Sequence, residues 1–121
     1  MTAQIDILQQ SNDDLIQYLN TLCEIDLPIS IETVDDLKTA AGILGKLGPL
    51  YSFLVNMKLR TNIQKRMFKK NKEQEKYEDF LIKENIFEAF IDQVKMMYNT
   101  TSRMVTLKQL VNEELKYTKL Y

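Results

Sequence analysis

Apolar positions recur at three- and four-residue spacing over most of this chain, the signature of amphipathic helices rather than strands. Leu15, Ile16, Leu19, Leu22 and Cys23 mark the first run. Ser11 lies three residues ahead of Asp14, a spacing at which a serine hydroxyl accepts a backbone N–H of the first turn. Helix one is therefore predicted from Ser11 to about residue 25, with residues 1–10 expected to be a flexible N-terminus. Asp26-Leu27-Pro28-Ile29-Ser30 ends it, because Pro28 disfavours helical backbone at Leu27. Thr33 opens the second run, with Asp35 and Asp36 in the first turn, where the helix dipole favours negative charge. That run continues through Leu37, Ala40, Ala41 and Leu44. Gly48-Pro49 is expected to end or kink it, since proline lacks the N–H and its ring crowds the preceding turn.

Pro49 suits a first helical position, so a third helix is predicted from there to about Lys70. Its first part, Leu50 to Leu59, is apolar nearly all round and is expected to be buried. Farther on, Lys58, Lys65, Lys69 and Lys72 fall within an arc of about 60°, with Ile63 and Met67 opposite. Asn71 fits a left-handed cap, with a turn near it. The fourth helix, from about Glu73 to Leu115, carries the longest stripe. Phe80, Phe87, Phe90, Ile91, Val94, Met97, Tyr98, Thr101, Met104 and Val105 span roughly 140° of its circumference. Lys83 and Lys108 interrupt the stripe, so it is not a coiled-coil seam.

At 1.5 Å per residue the fourth helix is about 60 Å long, too long for a compact globule of 121 residues to cover fully. It must bend or share its stripe with another chain, which makes Phe87, Phe90, Val94, Met97, Tyr98 and Met104 a candidate oligomer interface. Met96, beside Asn99 and outside the stripe, marks a candidate second packing surface. The predicted fold is all-α. Helices three and four form a long antiparallel hairpin, helices one and two pack at one end, and residues 1–121 make a single helical-bundle domain.

Composition agrees with that picture and narrows the chemistry. The 121 residues are 45% hydrophobic and 27% charged, and 3 Gly with 2 Pro argue against a turn-rich β fold. One domain of this length buries a core without staples. Cys23 is the only cysteine, so no internal disulfide forms, and its neighbours Leu22 and Ile25 place it in a core. No apolar signal region or membrane-length apolar stretch is present, so a cytoplasmic location is expected (host cytoplasm if phage-encoded).

With no histidine, the usual general base and every Ser-His or Cys-His pair are missing, and zinc is close to excluded. The adjacent carboxylates at Asp13-Asp14, Asp35-Asp36, Glu78-Asp79 and Glu113-Glu114 point about 100° apart on a helix. Residues 40–47 lack the first glycine and the Ser/Thr of a phosphate loop, and no strand precedes them. Ala41, Gly42, Gly45 and Gly48 read better as small residues that let another helix approach closely, or that loosen the helix before Pro49. A non-enzymatic protein is expected, without cofactor, metal or small-molecule substrate.

Charge supplies a contact candidate. Residues 1–57 hold eight acids and two lysines, a charge of −6, whereas residues 58–121 hold fourteen bases and nine acids, a charge of +5. Lys58, Arg60, Lys65, Arg66, Lys69, Lys70 and Lys72 fall in fifteen residues with no acid among them. These cations could pair across the hairpin with Glu73, Glu75, Glu78 and Asp79, hold nucleic-acid phosphates, or meet an acidic protein surface. Lys58, Lys65, Arg66, Lys69, Lys70 and Lys72 are the candidate contact residues. Only Phe68 and Tyr77 are nearby for base stacking. The high Lys, Ile and Asn content with little Gly resembles that of small proteins from AT-rich bacterial or phage genomes. The expected function is a protein-interaction or assembly factor of the phage accessory or inhibitor type, with a protein partner or a second copy of itself. The alternative is a nucleic-acid-binding accessory protein using residues 58–72.

Overall fold

A computed structural model describes residues 6–27 and 31–119, with side chains as far as residue 111. A 3-10 turn at Ile7–Gln9 is followed by α1 (Asn12–Leu22), α2 (Val34–Lys70) and α3 (Gln74–Lys119), with no strand among the described residues. The chain is all-α, as the periodicity predicts.

Ser11 caps α1 as expected, its hydroxyl accepting from the Asp14 N–H at 3.2 Å. The helix ends at Leu22, a little before the predicted residue 25, and Pro28, Ile29 and Ser30 lie outside the described residues. The expectation of a flexible segment 1–10 is corrected for residues 6–10. The Asp6 carboxylate accepts from the Leu8 N–H at 3.1 Å and pairs with Arg60 at 2.8 Å, and Leu8 is buried in the core. Residues 1–5 lie outside the described residues.

Thr33 and Asp36 form a reciprocal capping box at the start of α2. Backbone N–H groups of Glu32 and Thr33, then the Thr33 hydroxyl, hold the Asp36 carboxyl below the usual carboxylate range. The predicted break at Gly48-Pro49 does not occur, because α2 runs through both residues. Two local features explain this. A proline ring normally clashes with the Cβ of the residue before it, and Gly48 has none. The carbonyl left without its donor belongs to Gly45, which is exposed and open to water. Predicted helices two and three are thus one helix of 37 residues, and α1 is the only short α-helix among the described residues.

The end of α2 is a Schellman motif. Glu73 N–H donates to the Phe68 carbonyl at 2.9 Å and Lys72 N–H to the Lys69 carbonyl at 3.2 Å. The left-handed residue is Lys72, with φ 59°, and not Asn71 as the sequence suggested. A side chain in that region is strained by roughly 1–2 kcal/mol.

Across the α2–α3 contact Phe68 meets Phe80 edge to face with ring centroids 4.9 Å apart, and Lys65 reaches Glu84. Leu47, Leu54 and Met57 of α2 share one core with Phe80, Phe87, Phe90, Ile91 and Val94 of α3. Leu8, Leu15, Leu19 and Cys23 extend that core on the N-terminal side. Each fully buried large apolar side chain contributes about 1.5–3 kcal/mol. The α3 stripe is therefore covered by the chain's own α2 over much of its length.

Candidate functional site

The basic run divides into two parts. Lys58 pairs with Glu88 at 3.1 Å, Arg60 with Asp6 at 2.8 Å, and Lys65 with Glu84 at 2.9 Å. The acids come from Asp6 and from farther along α3, not from the run Glu73–Asp79. In that run Glu73 takes Lys76 and Asp79 takes Lys83. Arg66, Lys69, Lys70 and Lys72 are exposed and make no ion pair among the described residues. Lys69 stands over the Tyr77 ring at 5.9 Å. Lys58 and Lys65 therefore serve the α2–α3 contact, and the free cations cluster at the turn.

Glu84 is the most enclosed carboxylate of this group. Burial raises its pKa, but hydrogen bonds from Lys65 and Asn62 and the charges of Lys65 and Lys58 outweigh burial and hold it below the ordinary glutamate value. A depressed carboxylate contributes stability above its unfolded pKa and loses it as pH falls through the folded one. Urea midpoints taken from about pH 6 to about pH 3 should fall less steeply for Glu84→Gln than for the parent. Parallel curves would show that the pair contributes nothing to acid stability.

The candidate oligomer residues on α3 need correction. Phe87, Phe90 and Val94 are 0%, 8% and 1% exposed, so the chain itself occupies the surface assigned to a partner. Met97 and Met104 are half-buried, and Tyr98 is exposed. Met96, at 70%, stands in solvent.

The uncovered surface lies instead on α2. Val55, Leu59, Ile63 and Met67 are 38%, 59%, 52% and 58% exposed. They recur every four residues, so they form a row drifting about 40° per step. Toward the N-terminus the same side of the helix carries Ala41, Gly45, Gly48 and Ser52, all exposed. By helical geometry this side faces away from the α3-facing Leu54, Thr61 and Lys65. A Cβ added at Gly42, Gly45 or Gly48 would meet nothing within 4 Å. No charged residue falls on this row between Lys38 and Arg66. The side of a surface helix turned from its own core normally carries the charge, so an uncharged apolar row there calls for a contact. Beside it, Leu47, Gly48, Tyr51, Ser52, Val94 and Tyr98 line a groove of about 390 Å³. The sequence contained the signal in Leu59, Ile63 and Met67, but the expected break at Pro49 and the expected burial of Leu50 to Leu59 hid its continuity.

A second feature beyond the sequence reading is a polar cluster around the buried Lys83. The Lys83 ammonium donates to Asn12 Oδ1 and Asp79 Oδ2, each at 2.7 Å, and lies 5.5 Å from the Phe80 ring centroid. Asn12 donates to the second Asp79 oxygen at 3.0 Å, which closes the network. These bonds join the first residue of α1 to α3. Elsewhere, burial pushes the Cys23 thiol pKa up, so this sulfur is poorly nucleophilic. Among the described residues no cluster of three or more Cys, Asp or Glu could hold a metal, and no helix is long and apolar enough to cross a membrane.

Compared with protein-family models, curated proteins and solved structures, the chain matches none.

Proposed function

We propose that this protein is a small non-enzymatic interaction or assembly factor, built on an antiparallel helical hairpin, that binds a protein surface through the outer side of α2. The observation that carries this reading is the exposed row Val55, Leu59, Ile63 and Met67 on the side of α2 turned from its own core. Exposed apolar rows of this kind, rimmed by polar groups, mark contact sites. Arg66 and Lys70 flank the far end of the row, so a fitting partner presents an apolar strip with an acidic rim. A phage-type accessory or inhibitor acting in the cytoplasm fits this description.

At native level in cell extract, the tagged chain should elute as a complex heavier than itself. The double variant Leu59→Glu, Ile63→Glu should release it while keeping the helical content and melting temperature. Elution of the unaltered chain at its own mass would refute the reading. Nucleic-acid binding is a second reading, supported by the free cations Arg66, Lys69, Lys70 and Lys72 at one end. It requires oligonucleotide affinity that falls steeply as salt rises; salt-independent or absent binding rejects it.

A further inference from the structure

We infer that the outer side of α2 pairs with the same side of a second copy of this chain, antiparallel, about a two-fold axis at Ser52. This inference rests on the reading of that surface as a contact site, and it names the partner.

The argument starts from the two halves of one helix. Val34–Lys70 has its midpoint at Ser52. On the N-terminal side of that midpoint the outward row is small from residue 41 to residue 48, at Ala41, Gly45 and Gly48, and only the first turn adds larger side chains, Val34 and Leu37. On the C-terminal side it is large: Leu59, Ile63 and Met67. Reversing a second copy about Ser52 sets Leu59 level with Gly45 and Ile63 level with Ala41, so these two large side chains enter places without bulk, while Met67 comes level with Leu37. Open space above Gly45 within one chain is what such a Leu59 would fill. A parallel pairing would instead stack small on small and leave the large residues to collide.

Charge selects the same arrangement. The first turn of α2 carries Asp35 and Asp36, just after Glu32, and the last turn carries Lys69 and Lys70. The antiparallel pair brings the acidic first turn of one copy to the basic last turn of the other at both ends, whereas a parallel pair sets like ends level; Asp35 and Lys69 themselves lie about 160° apart around the helix, so this is attraction between ends and not a paired contact. Lys38 and Arg66 also come level, but they lie on opposite edges of the row, about 80° apart around the helix. A two-fold contact is isologous, and this surface is self-complementary in size over its middle, with opposite charge at its two ends.

The extent is sufficient. The uncharged seam between Lys38 and Arg66 is about 40 Å long, and with the charged ends a contact along the whole of α2 is about 55 Å long and about 11 Å wide, roughly 600 Å² on each copy. Two such surfaces reach the lower edge of the roughly 1,200–2,000 Å² that stable interfaces bury.

The purified full chain should have twice its 14.2 kDa mass by light scattering. This should hold at high salt too, because the seam is mainly apolar and only its ends are screened. Gly45→Leu should weaken the pair at least about 100-fold, yet leave the monomer folded, since its Cβ meets nothing in one chain. Ser52→Cys should oxidise to a covalent dimer across the axis, with buried Cys23 not competing. Lys70→Cys should not, because its two copies would stand about 54 Å apart. A monomer up to about 100 μM overturns the self-pairing, and the extract experiment then decides separately whether another protein uses the surface. A dimer indifferent to Gly45→Leu, or cross-linked through residue 70 instead of 52, also overturns it.

Discussion

Phe87→Ala is expected to lower unfolding stability by about 3–5 kcal/mol, measured as a shift in urea midpoint at constant slope. Phe87 is 0% exposed and belongs to the cluster that joins α3 to α2 and α1. Removing the ring forfeits its transfer free energy and leaves a cavity that long, stiff helices close poorly. Phe90→Ala should fall in the same range or slightly below, because Phe90 keeps 8% exposure. Met96→Ala, at 70% exposure, should change stability by less than about 0.5 kcal/mol. If Phe87→Ala proved as mild as Met96→Ala, the core assigned to α3 would be wrong.

These contrasts show where the sequence was readable. The first part of the α3 stripe is legible in the sequence, because Phe80, Phe87, Phe90, Ile91 and Val94 recur at helical spacing and every one of them is buried, whereas farther on Tyr98 is exposed and Met97 and Met104 are half-buried. The element that covers it is less legible. A helix of about 60 Å looks too long for a compact globule of 121 residues to cover, so its stripe reads as an oligomer surface as long as α2 is taken to break at Pro49. The helix continues for a local reason: Gly48 before the proline lacks the Cβ that would clash, and Gly45, whose carbonyl loses its donor, is exposed to solvent. Once α2 is continuous, it covers the stripe and its own far side becomes the open surface. The capping residues Ser11 and Thr33 were legible because their hydrogen bonds are local. The pairs Lys65–Glu84, Lys58–Glu88 and Arg60–Asp6 were not, since their partners lie tens of residues away and depend on how the helices pack. The basic run was visible as charge, but which cations stay free was settled only by that packing.

Asp79→Ala is expected to be the most damaging single change at a polar residue, by about 3 kcal/mol or more. The Lys83 side chain is 2% exposed, and its charge is balanced by Asp79, with Asn12 as its other hydrogen-bond partner. Removing the carboxylate leaves a buried ammonium with one amide oxygen and the Phe80 ring for compensation, and an unpaired buried charge is strongly destabilising. Asn12 Nδ2 loses its acceptor in the same change. Lys83→Met should behave quite differently. It keeps the length and packing of the side chain, while Asp79, at 47% exposure, takes up water. A change within about 1 kcal/mol in either direction is expected, because an apolar residue can replace a buried ion without loss. Adding Lys83→Met to Asp79→Ala should therefore restore most of the stability, a coupling of about 2 kcal/mol in the double-mutant cycle. Because the cluster holds the first residue of α1, Asp79→Ala should also speed amide exchange in residues 15–23 ahead of global unfolding. Additive effects in the cycle would mean that Lys83 finds water when Asp79 is gone. Unchanged α1 exchange would mean that Leu15 and Leu19 alone hold that helix on the core.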